Sequence, residues 1–243
     1  MKDFVRQDML VSQVAETAVS AHPAQPFENV SPAKTQPAAK TGWYRQWGKR
    51  ALDVALVLLS APITVPVIAV SAAALWAEGG APFYWQDRLG RRGKRFRIMK
   101  LRTMVRDADA QLEHLLATDP ALREEWEETQ KLKNDPRITP VGSVLRITSL
   151  DELPQLWNVL VGDMTLVGPR PMLPQQLPLY GDPRAYYALR PGLTGSWQVL
   201  ARNDKAFKTR RAFDAAYQAQ HDLREDLVLL WRTVGVVVRG TGY

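Results

Sequence analysis

From Val54 to Ala77 the chain runs VALVLLSAPITVPVIAVSAAALWA without a charged residue. Roughly 20 apolar residues suffice to cross a bilayer as a helix. Two features argue against a plain span. Pro62 and Pro66 fall in the middle of the run, and proline both removes a helix hydrogen bond and clashes with the preceding turn. Both flanks are also basic: Arg45, Lys49 and Arg50 precede the run, and Arg88, Arg91, Arg92, Lys94, Arg95 and Arg97 follow it. The positive-inside rule then places both ends in the cytoplasm. A helix that enters, breaks at Pro62 and returns meets both conditions, so a re-entrant helix–break–helix is predicted over about 51–77. Trp43, Trp47, Trp76 and Trp85 would lie near the headgroups.

The remaining pattern is mostly helical. Residues 1–42 are polar, alanine-rich and proline-punctuated, with no sustained apolar period and no signal-peptide apolar core, and are read as disordered. PFYWQDRLGRRGKRFRIMKLRTM reads as two strands joined by a turn around Leu89 to Gly93. DADAQLEHLLATDPALREEWEETQKL reads as a charged helical pair broken at Pro120, and a further helical stretch covers Ala212 to Val238. Its apolar end, LVLLWRTVGVVV, is short enough to lie in a membrane interface. Trp126, Trp157 and Trp231 are expected to pack, as large apolar rings usually do. The fold class expected is mixed α/β, mostly helical, monotopic at a membrane, with a small strand component.

Composition narrows the chemistry. The 243 residues carry a formal charge of +7 and a pI of about 9.7, which points to an anionic partner. There is no cysteine, so disulfides, thiolate nucleophiles and cysteine zinc sites are excluded. His22, His114 and His221 lie far apart, and neither a GxxxxGK[ST] nor a GxGxxG motif occurs. Catalysis would have to come from carboxylates, arginine, lysine and backbone.

The segment LRITSLDELPQLWNVLVGDMTLVGPRP concentrates those groups. Asp151 and Glu152 are adjacent carboxylates. One reading is a capping box, with Ser149 as N-cap and Glu152 at N3. That leaves unexplained Arg146 just upstream, Pro154 early in the same helix, and Arg170 held between prolines. The alternative is phosphoryl chemistry: a carboxylate attacks phosphorus, a hard cation such as Mg²⁺ bridges carboxylate and phosphate, and guanidinium groups neutralise the developing charge.

That block, together with KRALD, PFYWQDRLGRRGKRFRIMKLRTM and RPGLTGSWQVLARND, resembles the bacterial sugar transferases, the monotopic phosphoglycosyl transferases, over roughly residues 43–205. The GTGY-ending extension resembles the exopolysaccharide-initiating subgroup that loads galactose-1-phosphate or glucose-1-phosphate onto undecaprenyl phosphate. The resemblance implies a transferase domain over 43–243, with a catalytic core at about 78–205 and a helical extension at 206–243. It implies a ping-pong reaction at the cytoplasmic face of the bacterial inner membrane, with a UDP-hexose and undecaprenyl phosphate as substrates. Asp151 would attack the sugar-bearing phosphate and release UMP, and Glu152 would help hold Mg²⁺. Arg146 and Arg170 would contact phosphate or nucleotide, and Lys100 would lie near them. The family also carries a re-entrant membrane helix. Many members have Ser-Pro at the break, whereas this chain has Ala61-Pro62, with Ser60 one place earlier. Larger members carry spanning helices before this module, so the chain reads as the minimal form.

Other readings compete. Asp107-Ala108-Asp109 matches the D-x-D pattern of metal-dependent glycosyltransferases that release UDP, but on a helix start residues two apart do not face each other. The basic run from Arg88 to Lys100 would suit nucleic acid; beside an apolar membrane run, acidic lipid headgroups fit better, and no nucleic-acid partner is expected. A non-catalytic membrane adaptor is a third class. His114 reads as a surface residue, and Tyr186 and Tyr187 as either packing residues or walls of a sugar site.

Overall fold

The computed structural model describes residues 42–130, 132–201 and 207–238. The segment expected to be disordered, apart from Gly42, lies outside the described residues. A π-helical turn, Tyr44–Gly48, leads into helix α1, Lys49–Ala77. An antiparallel hairpin follows, β1 (Phe83–Leu89) and β2 (Arg95–Leu101), closed by a turn with Arg92 and Gly93 at positive φ. Then come helices α2 (Ala108–Thr118), α3 (Pro120–Thr129) and α4 (Pro140–Ile147), a 3-10 helix Leu150–Gln155, and α5 (Leu156–Val161). Strand β3 (Thr165–Val167) is separated from β4 (Gly192–Thr194) by short helices α6 (Leu177–Tyr180) and α7 (Arg184–Ala188). Helices α8 (Ser196–Leu200), α9 (Arg210–Gln220) and α10 (Leu223–Val238) end the described chain.

The hairpin and the α2–α3 break agree with expectation. Asp119 caps α3 by accepting from the backbone N–H groups of Ala121 and Leu122, with Pro120 at the first helical position. The C-terminal stretch divides into α9 and α10 at His221–Asp222. The parallel β3–β4 pair was not legible as strands.

Helix α1 corrects one expectation. Helical backbone runs without interruption from Lys49 to Ala77, with Pro62 and Pro66 inside it, so there is no break into two helices. Each proline withholds one backbone donor, and the other turns of a long helix survive that loss. The hydroxyls nearby bond back to the helix: Ser60 Oγ donates to the Val57 carbonyl at 2.9 Å and Thr64 Oγ1 to the Ser60 carbonyl at 3.1 Å. Such back-bonds bend helices rather than end them.

Both ends of α1 dock on the same body. Near its start, Asp53 is buried and accepts from Thr165 Oγ1 at 2.6 Å and Leu166 N at 3.0 Å. Arg50 donates to the carbonyls of Val159 and Leu160, and Val57 enters the main core with Ile98, Val159, Met164, Val167, Tyr217 and Leu229. Near its end, Leu75 packs with Leu101 and Leu145, and Glu78 accepts from Val141 N at 3.2 Å. Between these anchors Leu59, Ile63 and Val70 are more than two-thirds exposed, at 78%, 72% and 71%. The stretch Tyr44–Ala77 is long and apolar enough to cross a membrane.

Trp43, Trp47, Trp76 and Trp85 are all exposed. So are Trp157 and Trp231, at 55% and 79%, which corrects the packing role expected for them. Trp126 is partly buried, with the Arg137 guanidinium 5.9 Å from its ring centroid.

Candidate active site

Alternation along β2 buries Ile98 and turns Lys100 to the same side. The strand is held from outside the hairpin by Asn158 of α5, which is buried. Its amide nitrogen donates to the Arg97 carbonyl at 2.8 Å, and its amide oxygen accepts from Met99 N at 3.2 Å. One side chain thus completes the edge of β2 as a strand backbone would, just before Lys100. At the end of β2 the chain meets α4. A Cβ at Gly142 would stand 2.2 Å from the Thr103 carbonyl oxygen, so only glycine permits this approach. The contact lets Arg146 donate Nε to Thr103 Oγ1 at 2.8 Å.

Ser149 then adopts the left-handed conformation, φ 57° and ψ 19°, a strained setting for a residue with a Cβ. The capping-box reading fails here. The Ser149 side chain caps nothing, and Glu152 turns away from the helix start toward two cations. The sharp turn feeds the 3-10 helix that carries Asp151 and Glu152 against β2. Lys100 Nζ lies 2.8 Å from Glu152 Oε1 and 3.7 Å from Asp151 Oδ2. Arg170 Nη2 reaches the same Glu152 oxygen at 2.9 Å.

Arg170 sits on a loop in which every carbonyl from Pro169 to Met172 has a partner. Gly192 N donates to the Pro169 carbonyl at 2.7 Å, Arg210 Nη2 to that of Arg170, Arg88 Nη1 to that of Pro171 at 3.4 Å, and Leu89 N to that of Met172 at 2.9 Å. The β3–β4 pair brings Gly168 and Gly192 so close that a Cβ on Gly192 would stand 2.1 Å from Gly168 N. Tyr186, fully buried, donates its hydroxyl to the Leu89 carbonyl at 2.6 Å and accepts from Met172 N at 3.1 Å. Of the two roles left open for Tyr186, packing is the one observed. Tyr187 packs partly buried against the same cluster.

Asp151 is 7% exposed. Burial pushes its carboxyl above the usual carboxylate range; Lys100 pulls it down, Glu152 pushes it up, and Arg146 and Arg170 pull it down again. Burial lowers the Arg146 guanidinium, and Asp151 is the opposite charge that most resists this. Farther in, Arg210 is buried beneath Arg170, 5.1 Å from the Trp197 ring centroid and 4.8 Å from that of Phe207. Burial pushes its neighbour Asp214 up to about 6, against the pull of Arg210 and of a 2.8 Å bond from the Tyr180 hydroxyl.

Of the five predicted site residues, Lys100, Glu152 and Arg170 line one cleft, Asp151 lies beside it within 3.7 Å of Lys100, and Arg146, bonded to Thr103, stands close enough to Asp151 to interact with its charge. Asp107 and Asp109 do not join it: both are exposed, at the start of α2. His114 is exposed, as expected. Sequence reasoning missed Asn158, Arg210 and Asp214, which are buried polar residues at ordinary-looking helix positions. It also gave no role to Asp53, the one carboxylate at the head of an uncharged run.

The Bacterial sugar transferase family model matches residues 44–240. The chain belongs to that family. Among similar proteins, the undecaprenyl-phosphate galactose phosphotransferase of Salmonella typhimurium is 46% identical over 195 residues, 80% of this chain and 41% of that protein. The exopolysaccharide production protein ExoY of Sinorhizobium fredii is 42% identical over 208 residues, covering 84% of this chain and 92% of ExoY. The UDP-glucose:undecaprenyl-phosphate glucose-1-phosphate transferase of Caulobacter vibrioides is 37% identical over 196 residues, 76% of this chain and 68% of that protein. The chain spans about two-fifths of the length of several such relatives, the Salmonella protein among them, and most of the length of ExoY.

Proposed function

We propose that this sugar transferase moves a hexose-1-phosphate from a UDP-hexose to undecaprenyl phosphate through a covalent intermediate on Asp151, starting an exopolysaccharide or related glycan. The observation that carries the reading is the unequal engagement of two adjacent carboxylates. One oxygen of Glu152 is held by both Lys100 and Arg170, while Asp151 stands 3.7 Å from Lys100 in a buried setting. A carboxylate kept near, but not tied to, a cation is suited to attack phosphorus.

In the first step an Asp151 oxygen bonds to the sugar-bearing phosphorus, the bond to the bridging oxygen breaks, and UMP leaves with that oxygen and its charge. In the second, an oxygen of the polyprenyl phosphate bonds to the same phosphorus and the Asp151 acyl phosphate breaks. That step regenerates the carboxylate and yields a polyprenyl diphosphate sugar. Lys100, Arg146 and Arg170 are the cations near enough to offset charge that spreads over the phosphoryl oxygens.

A magnesium ion suits this site. Asp151 and Glu152 offer two hard oxygen donors, and no group of three potential ligands occurs among the described residues. Mg²⁺ commonly takes one or two carboxylates and fills its shell with phosphate oxygens and water. Asp151 and Glu152 would hold it, and when bound it neutralises diphosphate charge.

The membrane setting follows from α1. Its two ends dock on one body, its middle is exposed and apolar, and exposed tryptophans flank it. A chain bent into the cytoplasmic leaflet, as the basic flanks suggest, fits these features. It would bring the cleft to the bilayer surface, where a polyprenyl phosphate presents its headgroup.

The test is to incubate the purified chain with undecaprenyl phosphate, Mg²⁺ and a panel of UDP-sugars. UMP release is expected with one UDP-hexose, and that sugar names the donor. UDP release would mean direct glycosyl transfer and would overturn the reading.

A further inference from the structure

The cleft holds two more donors that no protein group satisfies. Arg88 of β1 and Gln155 of the 3-10 helix line it together with Lys100, Glu152, Arg170 and Leu193. Gln155 is 2% exposed, and its amide nitrogen is enclosed with no hydrogen-bond partner. The Nε of Arg88 is enclosed and equally unpartnered. The other two nitrogens of the Arg88 guanidinium donate to the Pro171 carbonyl at 3.4 Å and to Gln86 Oε1. It forms no ion pair with a described carboxylate.

An enclosed donor without an acceptor carries its desolvation cost uncompensated, so two lining one cleft point to a ligand that supplies acceptors. The charges agree. Arg88, Lys100 and Arg170 line the cleft with one carboxylate, Glu152, and the neighbouring Asp151 is already approached by Lys100 and Arg146, so cations are in excess. Burial, and then repulsion by Arg170, push the Arg88 guanidinium down to about 10. A nearby anion would relieve that repulsion.

We propose that Arg88 and Gln155 form a second phosphoryl-oxygen subsite, beside the Lys100–Arg170 pair, that binds a phosphate of one substrate. The inference rests on the phosphoryl-transfer reading. The ligand chemistry is shared by two sources, the UDP-sugar diphosphate and the polyprenyl phosphate headgroup. The forked guanidinium and the amide N–H₂ suit either.

The experiment uses the full chain in lipid nanodiscs, with Gln155→Leu, Arg88→Lys and Arg88→Ala. KM and kcat are measured for the UDP-sugar at saturating undecaprenyl phosphate, and for undecaprenyl phosphate at saturating UDP-sugar, with thermal melting alongside. Gln155→Leu and Arg88→Ala are expected to raise the KM of one substrate by about tenfold or more, the scale of a lost charge-assisted bond, and to leave the other unchanged. A shift in the donor KM assigns the subsite to the diphosphate; a shift in the acceptor KM assigns it to the lipid phosphate. Added guanidinium ion should restore part of the Arg88→Ala loss. Should Arg88→Ala fail to fold, Gln155→Leu carries the test by itself. Unchanged KM values for both substrates, or a loss that merely tracks the folded fraction, would overturn the proposal. Wild-type release of UDP in place of UMP would instead remove the phosphoryl-transfer reading, and the same KM comparison would still report on the subsite.

Discussion

Lys100 Nζ lies 2.8 Å from Glu152 Oε1, joining a strand to a 3-10 turn that comes 52 residues later in the chain. The contact depends on two local devices. Asn158 holds the strand in place, and the left-handed Ser149 turns the chain so that both carboxylates meet it. The lysine is the one cation within 4 Å of both Asp151 and Glu152 among the described ion pairs.

Replacing Lys100 by Met should therefore impair chemistry more than folding. The expected loss in kcat is about 100-fold or more, on the scale of removing one preorganised donor. UMP release measured against the melting temperature checks this; a kcat within a few-fold of wild type would speak against a catalytic place for Lys100.

Asn158→Ala should act the other way, on stability first. It leaves Met99 N–H and the Arg97 carbonyl without their partner, at a cost of about 2 kcal/mol. For a chain of this size that amounts to a melting temperature lower by about 5 °C. Unchanged melting would mean that the hairpin keeps its own register.

Gly192→Ala places a methyl group 2.1 Å from a backbone nitrogen that cannot yield. The variant is expected to lose the β3–β4 pair and to become protease-sensitive. Gly235→Ala is the control, since nothing lies within 4 Å of that position. It should fold as well as wild type, and slightly better by helix propensity.

These predictions rest on features of unequal visibility in the sequence. The β1–β2 hairpin could be read because period-two alternation and a glycine turn are local signals. Asp151, Glu152 and Arg170 could be singled out because they sit among turn residues and prolines with no packing reason for charge. The three-residue strands β3 and β4 could not, since their pairing joins segments more than twenty residues apart and each is too short for a period. Asn158 and Arg210 looked like ordinary helix positions; only the tertiary fold reveals that one completes a strand edge and the other supports a loop carbonyl. At Pro62 the local rule misled, because a long helix docked at both ends tolerates the missing donor.

The buried Asp214 sets a pH signature. Its folded value, about 6, lies above the ordinary 3.8. Between these limits the folded state binds the extra proton, so the contribution of Asp214 to stability is full below about pH 4 and is lost as pH rises through 6. Asp214→Asn should remove that component: the wild-type melting temperature, taken relative to the variant, should fall from pH 4 to pH 7. Tyr180→Phe removes a bond that favours the ionised form, so it should move the decline to higher pH. Parallel wild-type and Asp214→Asn curves would contradict the assignment.

The most direct test of the central claim is the mass of the enzyme after brief exposure to its UDP-sugar without any acceptor lipid. The account predicts a rapid-quench adduct of one hexose phosphate, mapped to the peptide containing Asp151, absent in Asp151→Asn, and discharged by undecaprenyl phosphate. Turnover without any such adduct, or with Asp151→Asn still active, would contradict it.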